Sequence, residues 1–441
     1  MKEKKTLQEQ YQARKIHPVP ALPFRFMTLV SKVLYYKKFD VNFNYHVDLE
    51  PYRGTSYVVV GNHASRIDYV YLGLPFFPDT FNYVMGYNEI FRSHLNLVLR
   101  AMKIIQKKNF VPDLYAMRQI KRVIKEGGRI IIMPEGMSSI SGHNQPSQAG
   151  SGQLLKSLGL PVFYSKIQGG YLANTKYNLE ERPGHVDVDI DLMFSPEDLK
   201  NMSADEIQTR LDELIWQDDY EWNKKHHYSF KSKAGVMAEG MHQLLFWCPK
   251  CRSSLNMESK GDILRCKCCG SGITLDEYYD MHPLTEDSVV PETPSVWFDM
   301  QRAWVKKQVA DPDFKLEEKV QLGVLPKYHL LKNQKTSEIV GEGTLTLTRE
   351  GLSYKGSRDG ADYTFFIPSA ELPTYGMCTD VSRFYTFVGP EFTEFYPERD
   401  SAELWMMATE EIHHLNNGRW KDFPENHPAN RRLSKEFLES L

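Results

Sequence analysis

Two continuous apolar runs with a helical pattern between them limit the fold of this chain more than any other feature. Residues 55–63 (TSYVVVGNH) and 128–136 (GRIIIMPEG) each predict a strand that is buried on both faces. Between them, Asp113–Glu126 predicts a helix that starts at Asp113 and stops before two glycines. The order strand–helix–strand predicts an α/β unit with a mostly parallel sheet covered by helices. Ligand sites in such sheets lie beyond the carboxyl ends of the strands.

Changes in pattern along the chain predict several further units. Residues 183–194 (PGHVDVDIDLMF) predict an amphipathic edge strand, and Ser203–Trp216 predicts a helix. We expect an N-terminal amphipathic helical region (1–40), the α/β domain (41–240), a cysteine-rich ribbon (246–282), a linker with some helix (283–335), a small antiparallel β domain ending in a helix (336–420) and a C-terminal tail (421–441).

The net charge of −3 conceals a basic front portion. Residues 1–125 contain 20 lysines and arginines against 9 aspartates and glutamates, a net charge of about +11. A basic segment suits an anionic partner such as a phosphate substrate, an acidic lipid surface or nucleic acid. A solvated basic face is the alternative.

The segment Ala21–Phe39 is amphipathic, with its apolar residues at helical spacing and lysines near its end. Such a helix lies either in a membrane interface or against the core of its own domain. The chain opens on MKEKKTLQEQ, which lacks the apolar region of an export signal, and it has no apolar run of membrane-spanning length. We therefore expect a cytoplasmic protein that is peripheral at the inner face of the membrane.

His63 and Asp68 follow the first apolar run in the segment GNHASRID. A neutral imidazole accepts a hydroxyl proton near pH 7. A carboxylate on its other nitrogen fixes the tautomer and stabilises the imidazolium. The pair therefore predicts base catalysis of a reaction in which an alcohol attacks, although this spacing alone is weak and also fits a surface turn.

A second group follows the other run, in the segment MPEGMSS. Glu135 and Gly136 lie on a turn whose free N–H groups and carboxylate suit substrate hydroxyls, although an ordinary turn is the alternative. Basic residues between the two motifs, namely Lys103, Lys107 and Lys108, predict a place for a phosphate.

The two motifs together resemble the glycerolipid acyltransferase family, in particular the lysophosphatidic-acid (1-acylglycerol-3-phosphate) acyltransferases. The resemblance covers roughly residues 25–220. The first family block corresponds to Asn62, His63, Ser65 and Asp68, the third to Met133–Ser139, the phosphate-binding second block to Lys107 or Lys108, and the fourth to Leu160–Val162.

This resemblance implies an O-acyltransferase. His63 would be the base and Asp68 its partner, while Asn62, Ser65, Glu135, Gly136 and Ser138 would bind substrate with Lys107 or Lys108 on the phosphate. The resemblance also implies a lysophospholipid acceptor, an acyl-CoA or acyl-carrier-protein donor, a cytoplasmic membrane surface and no nucleic acid.

This chain departs from the family at the third block, where threonine and arginine are replaced by Met137 and Ser138. Phosphate recognition must therefore be supplied differently, or the acceptor is not a simple glycerol phosphate. The alternative is a non-catalytic adaptor on a degenerate acyltransferase scaffold.

Four cysteines form a C-x2-C-x14-C-x2-C pattern that is typical of a structural zinc site with two knuckles. Since a cytosolic chain disfavours disulfides, zinc is the expected partner and its role is folding or docking. A redox role is the alternative. The predicted ligands are Cys248, Cys251, Cys266 and Cys269, with Cys268 as an alternative ligand.

The strand patterns of residues 336–413 and the helix Ser401–Leu415 resemble a pleckstrin-homology (PH) or GRAM-like domain. Such folds often bind lipids or proteins, and a purely structural β domain is equally compatible with the pattern.

Overall fold

The computed structural model describes residues 4–418 and 432–441. The helices are α1 (Leu7–Gln12), α2 (Ala21–Ser31), α3 (Tyr69–Gly73), α4 (Ser93–Ala101), α5 (Leu114–Lys125), α6 (Ser151–Leu158), α7 (Gly170–Ala173), α8 (Pro196–Asn201), α9 (Ala204–Ile215), α10 (Asp219–His226), α11 (Met241–Leu244), α12 (Pro294–Val309), α13 (Ala402–Leu415) and α14 (Lys435–Ser440). The strands are β1 (Val41–Tyr45), β2 (Val58–Gly61), β3 (Asn82–Gly86), β4 (Ile105–Lys107), β5 (Ile130–Ile132), β6 (Val162–Gln168), β7 (Val186–Phe194), β8 (Met257–Lys260), β9 (Ile263–Cys266), β10 (Gly272–Leu275), β11 (Met281–Pro283), β12 (Lys315–Val324), β13 (Glu338–Thr348), β14 (Gly351–Arg358), β15 (Ala361–Pro368), β16 (Gly376–Met377), β17 (Phe384–Val388) and β18 (Glu391–Pro397).

The first sheet has the order β1-β7-β6-β2-β5-β3-β4 and is mostly parallel, as predicted. The five strands from β6 to β4 run in one direction. Strand β7 is antiparallel to β6, and β1 is parallel to β7. Strands β2 and β5 are neighbours, so the segments that follow them emerge side by side at one edge of the sheet.

The prediction of an edge strand at residues 183–194 is wrong, because β7 lies between β6 and β1. Its valines and isoleucine face the core with no exposed surface. Its alternate aspartates bind polar neighbours on β1: Asn42 Nδ2 donates to Asp187 and Asn44 Nδ2 donates to Asp189, each at 3.0 Å. The alternation therefore reflects a polar second face and not an unpaired edge.

The helix predictions at 113–126 and 203–216 are confirmed as α5 and α9. The side chain of Asp113 accepts hydrogen bonds from the N–H groups of Tyr115 and Ala116, so it caps α5 as expected. Ser203 caps α9 through a capping box. Leu114, an apolar residue in the first turn of α5, is 75% exposed.

The cysteine-rich segment forms the antiparallel sheet β11-β10-β9-β8. The next sheet has the order β15-β14-β13-β12-β18-β17-β16 and is antiparallel throughout. Its first strand, β12, begins at Lys315, inside the segment predicted as a linker. The PH/GRAM-like assignment and the domain boundaries stay predictions, and the tail 421–441 lies partly outside the described residues.

These sheets share one hydrophobic core, to which Phe163, Trp247 and Trp405 contribute from three different units. The fully buried Arg182 joins two of the units, since its guanidinium donates to Tyr279 Oη at 2.6 Å and to the carbonyls of the 236–237 segment. The ribbon and the last β domain therefore pack directly on the α/β unit. Within the described residues, none of the helices has both the length and the apolar character needed to cross a bilayer.

Candidate active site

His63 and Asp68 meet just past the carboxyl end of β2. His63 Nδ1 lies 2.8 Å from Asp68 Oδ2, and the carboxylate is almost fully buried at 1% exposure. Ser65 fixes that carboxylate by donating from its N–H and its hydroxyl, at 2.8–3.0 Å. With its Nδ1 proton donated to Asp68, a neutral His63 keeps the lone pair on Nε2. The imidazole side chain is 21% exposed, so it reaches the surface.

Glu135 holds the backbone of His63 in place. Its buried carboxylate accepts the His63 N–H at 2.7 Å, the Gln145 N–H at 2.8 Å and the Asn144 side-chain amide at 2.8 Å. Burial raises the pKa of Glu135 to about 8, although these three donors act to lower it. The two oxygens are thus engaged by protein groups, which supports a positioning role better than the predicted contact with substrate.

Gly136 is required by the tightness of the same turn. Its φ is +81°, and a Cβ there would lie 1.8 Å from Gln148 Nε2. Its carbonyl accepts from Asn109 Nδ2 at 2.6 Å. The following Met137 is buried in the core.

Ser138 contacts a lysine that no motif indicated. The Lys176 ammonium donates to Ser138 Oγ at 2.9 Å, and this lysine is only 4% exposed. Burial lowers the pKa of Lys176 to about 8. The next residue, Ser139, donates its N–H to the carbonyl of His63 at 2.6 Å, so the turn that Lys176 contacts also contacts His63.

The two predicted phosphate lysines take different positions. Lys107 lies beside the turn, where its ammonium donates to Gln148 Oε1 at 2.5 Å, and burial lowers its pKa to about 8. Lys108 Nζ instead donates to the carbonyl of Pro390 at 2.6 Å and lies over the ring of Phe387 in the last β domain. The predicted contact of Lys108 with a substrate phosphate finds no support in this position.

The remaining residue that was predicted to bind substrate, Asn62, forms hydrogen bonds with the protein backbone. Its side-chain amide exchanges two hydrogen bonds with the backbone of Ile167 on β6, at 2.7 and 2.8 Å. Asn62 is buried and thereby ties the end of β2 to β6. Its position supports the shape of the His63 loop and not a direct contact with substrate.

A buried polar network runs from this loop to the C-terminal segment. His143 Nε2 lies 2.9 Å from Asp299 Oδ1 on α12, and the neighbouring Asn144 contacts Glu135. Arg432 Nε donates to Asp299 Oδ2 at 3.0 Å, and its Nη1 donates to Asp218 at 2.6 Å. Hydrogen bonds therefore connect Arg432, through α12 and the loop at His143, to the residue that holds His63.

A cavity of about 10 Å3 lies beside these groups, lined among others by His63, Glu135, His143 and Asp219. This volume suits a single water molecule. It is a small void beside the His63 loop and is too small for a lipid.

The four predicted cysteine ligands come together. Their sulfur atoms all lie within 4.8 Å of one another, with Cys248–Cys269 at 3.7 Å and Cys251–Cys266 at 3.6 Å. A tetrahedral site with Zn–S bonds of about 2.3 Å requires sulfur atoms about 3.8 Å apart. The thiol of Cys268 is outside this group, and its backbone N–H points to Cys266 Sγ at 3.4 Å. The four cysteines therefore suit a metal ion with tetrahedral coordination.

Sequence reasoning missed Lys176, His143, Asp299 and Arg432, which no short motif contains. The family model described as Acyltransferase matches residues 42–164. The chain is also similar to a solved structure, the 1-acyl-sn-glycerophosphate (LPA) acyltransferase PlsC of Thermotoga maritima, with 18% sequence identity, 46% of this chain and 79% of that chain covered, and a TM-score of 0.38. A likeness of that TM-score carries no argument about this site. No significant match is found among curated proteins.

Proposed function

We propose that this chain, whose residues 42–164 match the Acyltransferase family model, transfers a fatty acyl group from acyl-CoA or acyl carrier protein to the free hydroxyl of 1-acylglycerol-3-phosphate or a related lysolipid. The observation that carries the proposal is the contact of His63 Nδ1 with the buried Asp68 carboxylate at 2.8 Å. It leaves the Nε2 lone pair as the proton acceptor of a side chain that is 21% exposed.

The reaction needs no nucleophile from the protein. The acceptor hydroxyl oxygen attacks the thioester carbonyl carbon while His63 Nε2 takes the hydroxyl proton. The tetrahedral oxyanion then collapses, so that the new C–O ester bond remains and the C–S bond breaks. The imidazolium, stabilised by Asp68, returns the proton to the leaving thiolate. Glu135 and Ser65 act on this step indirectly, by fixing the backbone of His63 and the carboxylate of Asp68.

Purified protein with a labelled acyl donor and a panel of lysolipids tests this proposal and identifies the acceptor. The panel should include 1-acylglycerol-3-phosphate, glycerol-3-phosphate and lysophospholipids with larger headgroups. We expect turnover with at least one of them. Absence of turnover with every acceptor and both donor carriers would instead favour the non-catalytic adaptor.

Helix α2 supports a peripheral membrane position for the proposed enzyme. Among its residues only Phe24 is buried, whereas the apolar face that continues into the following turn is open to solvent. Arg25 and Lys32 are exposed beside that face. An exposed apolar stripe with flanking cations suits an interface with anionic lipid. The exposed apolar residues are Leu22, Phe26, Leu29, Val33 and Leu34.

Phe26→Glu combined with Val33→Glu is expected to weaken binding to vesicles rich in phosphatidylglycerol by roughly 100-fold, since each large apolar side chain contributes about tenfold. Co-sedimentation measures the partition coefficient. Phe366→Glu is the matched control, because Phe366 is 56% exposed on β15 against 63% for Phe26. Equal losses in both variants would contradict a dedicated role for α2.

A further inference from the structure

Lys176 is a buried cation that forms no ion pair among the described residues. Its ammonium makes one hydrogen bond, to Ser138 Oγ, and no carboxylate of the described residues forms an ion pair with it. An ammonium carries three donors, so two remain. Burying a charge without an opposite charge costs several kcal/mol in general. A chain retains such a group where it has a use for it, and unpaired buried charges mark functional sites more often than others.

The acidic groups around Lys176 do not neutralise it. Asp380 accepts from Ser382 Oγ at 2.6 Å and shares its charge with Arg383. Glu403 lies on α13 with no exposed surface, and neither of its oxygens has a hydrogen-bond partner among the described residues. Burial raises the pKa of Glu403 well above its ordinary value, which disfavours the charged form of this carboxyl.

One further cation lies near Lys176. Arg66, in the loop between His63 and Asp68, acts on Lys176 by repulsion and lowers its pKa further. Among the described residues, the guanidinium of Arg66 donates to two neutral groups, Asn174 Oδ1 at 2.8 Å and the carbonyl of Leu179 at 2.9 Å. The turn that carries Ser138 also binds the His63 carbonyl through Ser139. Lys176 and Arg66 therefore place two cations near the proposed base.

We propose that Lys176, with the hydroxyl of Ser138, forms the subsite that holds a phosphate group of a substrate, where the α/β unit meets the last β domain. This inference rests on the proposed acyl transfer for its biological use. A phosphate monoester carries the charge and the acceptor oxygens that the two free donors of Lys176 require. Both the acceptor and a CoA donor carry such groups.

Lys176→Met tests the subsite, because methionine fills the volume without the charge. We expect the KM for the substrate that supplies the phosphate to rise roughly 10–100-fold, the effect of losing a charge-assisted hydrogen bond. A rise confined to 1-acylglycerol-3-phosphate, absent with 1-acylglycerol, assigns the phosphate to the acceptor. A rise confined to acyl-CoA assigns it to the donor.

Binding of inorganic phosphate provides a readout that does not depend on turnover. Phosphate should raise the Tm of the wild-type protein and should not raise that of Lys176→Met, whose own Tm should equal or exceed that of the wild type because a buried unpaired charge is gone. Lys156→Met is the matched control, since Lys156 bonds the backbone carbonyl of Leu199 at the end of α8. That variant should keep the response to phosphate.

Ser138→Ala separates a ligand role from a structural one. If Lys176 serves only to bond Ser138, Lys176→Met and Ser138→Ala should change KM and Tm alike. A subsite for phosphate predicts a much smaller effect for Ser138→Ala, because the ammonium remains. Unchanged KM values for both substrates in Lys176→Met, with an unchanged phosphate response, overturn the inference. Phosphate binding that is lost in Lys176→Met, in a protein with no acyl transfer, would support the subsite while rejecting the proposed function.

Discussion

His63→Ala is expected to lower the rate of acyl transfer by roughly 10²–10⁴-fold, the usual contribution of a positioned general base. The loss should fall on kcat, because the imidazole acts on the transferred proton and does not hold the substrate. Asp68→Asn should produce a loss of similar order, since an amide that donates to Nδ1 would favour the tautomer whose Nε2 carries a proton. Steady-state assays with the acceptor that the lysolipid panel identifies measure both effects.

The matched control is His282→Ala, because His282 also contacts an aspartate, with Nε2 2.9 Å from Asp276 Oδ2, but lies on the ribbon with a 58% exposed side chain. We expect it to retain activity. His63→Ala should keep the circular dichroism spectrum and metal content of the wild type. Turnover of His63→Ala at the wild-type rate would exclude the proposed mechanism.

Removal of a metal ion held by the four cysteines is expected to unfold the ribbon and, with it, the neighbouring α/β unit. We propose zinc as the metal. Zinc binding to such cysteine sets contributes about 10–16 kcal/mol of folding free energy near pH 7. Cys248 is fully buried in the core that the α/β unit also uses. We therefore expect Cys248→Ser to lose both zinc and the cooperative thermal transition.

Cys268→Ser is the matched control, since Cys268 is exposed and its thiol lies outside the group of four. It should bind about one equivalent of zinc and unfold at the wild-type temperature. Metal analysis together with calorimetry distinguishes the two variants. Retention of zinc by Cys248→Ser, or its loss from Cys268→Ser, would contradict the predicted ligand set.

Local signals predicted much of this architecture. The continuous apolar runs correctly predicted β2 and β5 as buried parallel strands, and the cap at Asp113 predicted the start of α5. The five-residue spacing of His63 and Asp68 indicates a short turn. This turn is held mainly by Ser65, which lies in the same segment and bonds Asp68. The paired cysteine spacing likewise predicted four sulfurs that meet. In each case the decisive contacts lie within a few residues or within a repeated pattern.

Contacts between distant segments escaped prediction for the corresponding reason. Lys176 is a single lysine after α7, and only the fold brings it to Ser138, 38 positions away. The aspartates of β7 predicted an exposed edge because the sequence does not show that Asn42 and Asn44 lie opposite them. The sequence predicted a functional carboxylate at Glu135. It did not show the three hydrogen-bond donors to that carboxylate, because these come from loops that meet only in the folded chain.

The hydrogen bonds of Arg432 to Asp299 and Asp218 have a consequence for biosynthesis. His143 and Asp299 are 156 positions apart, and Asp218 and Arg432 are 214 apart. A nascent chain on the ribosome can form β1 to β7 long before Arg432 is translated, and during that interval Asp218 and Asp299 lack their cation. Because domains generally fold as they emerge, the His63 loop would be assembled early but would gain this contact only after Arg432 has been translated. A polypeptide cut or terminated before Arg432 would keep the motifs at His63 and Glu135 and still lack that contact.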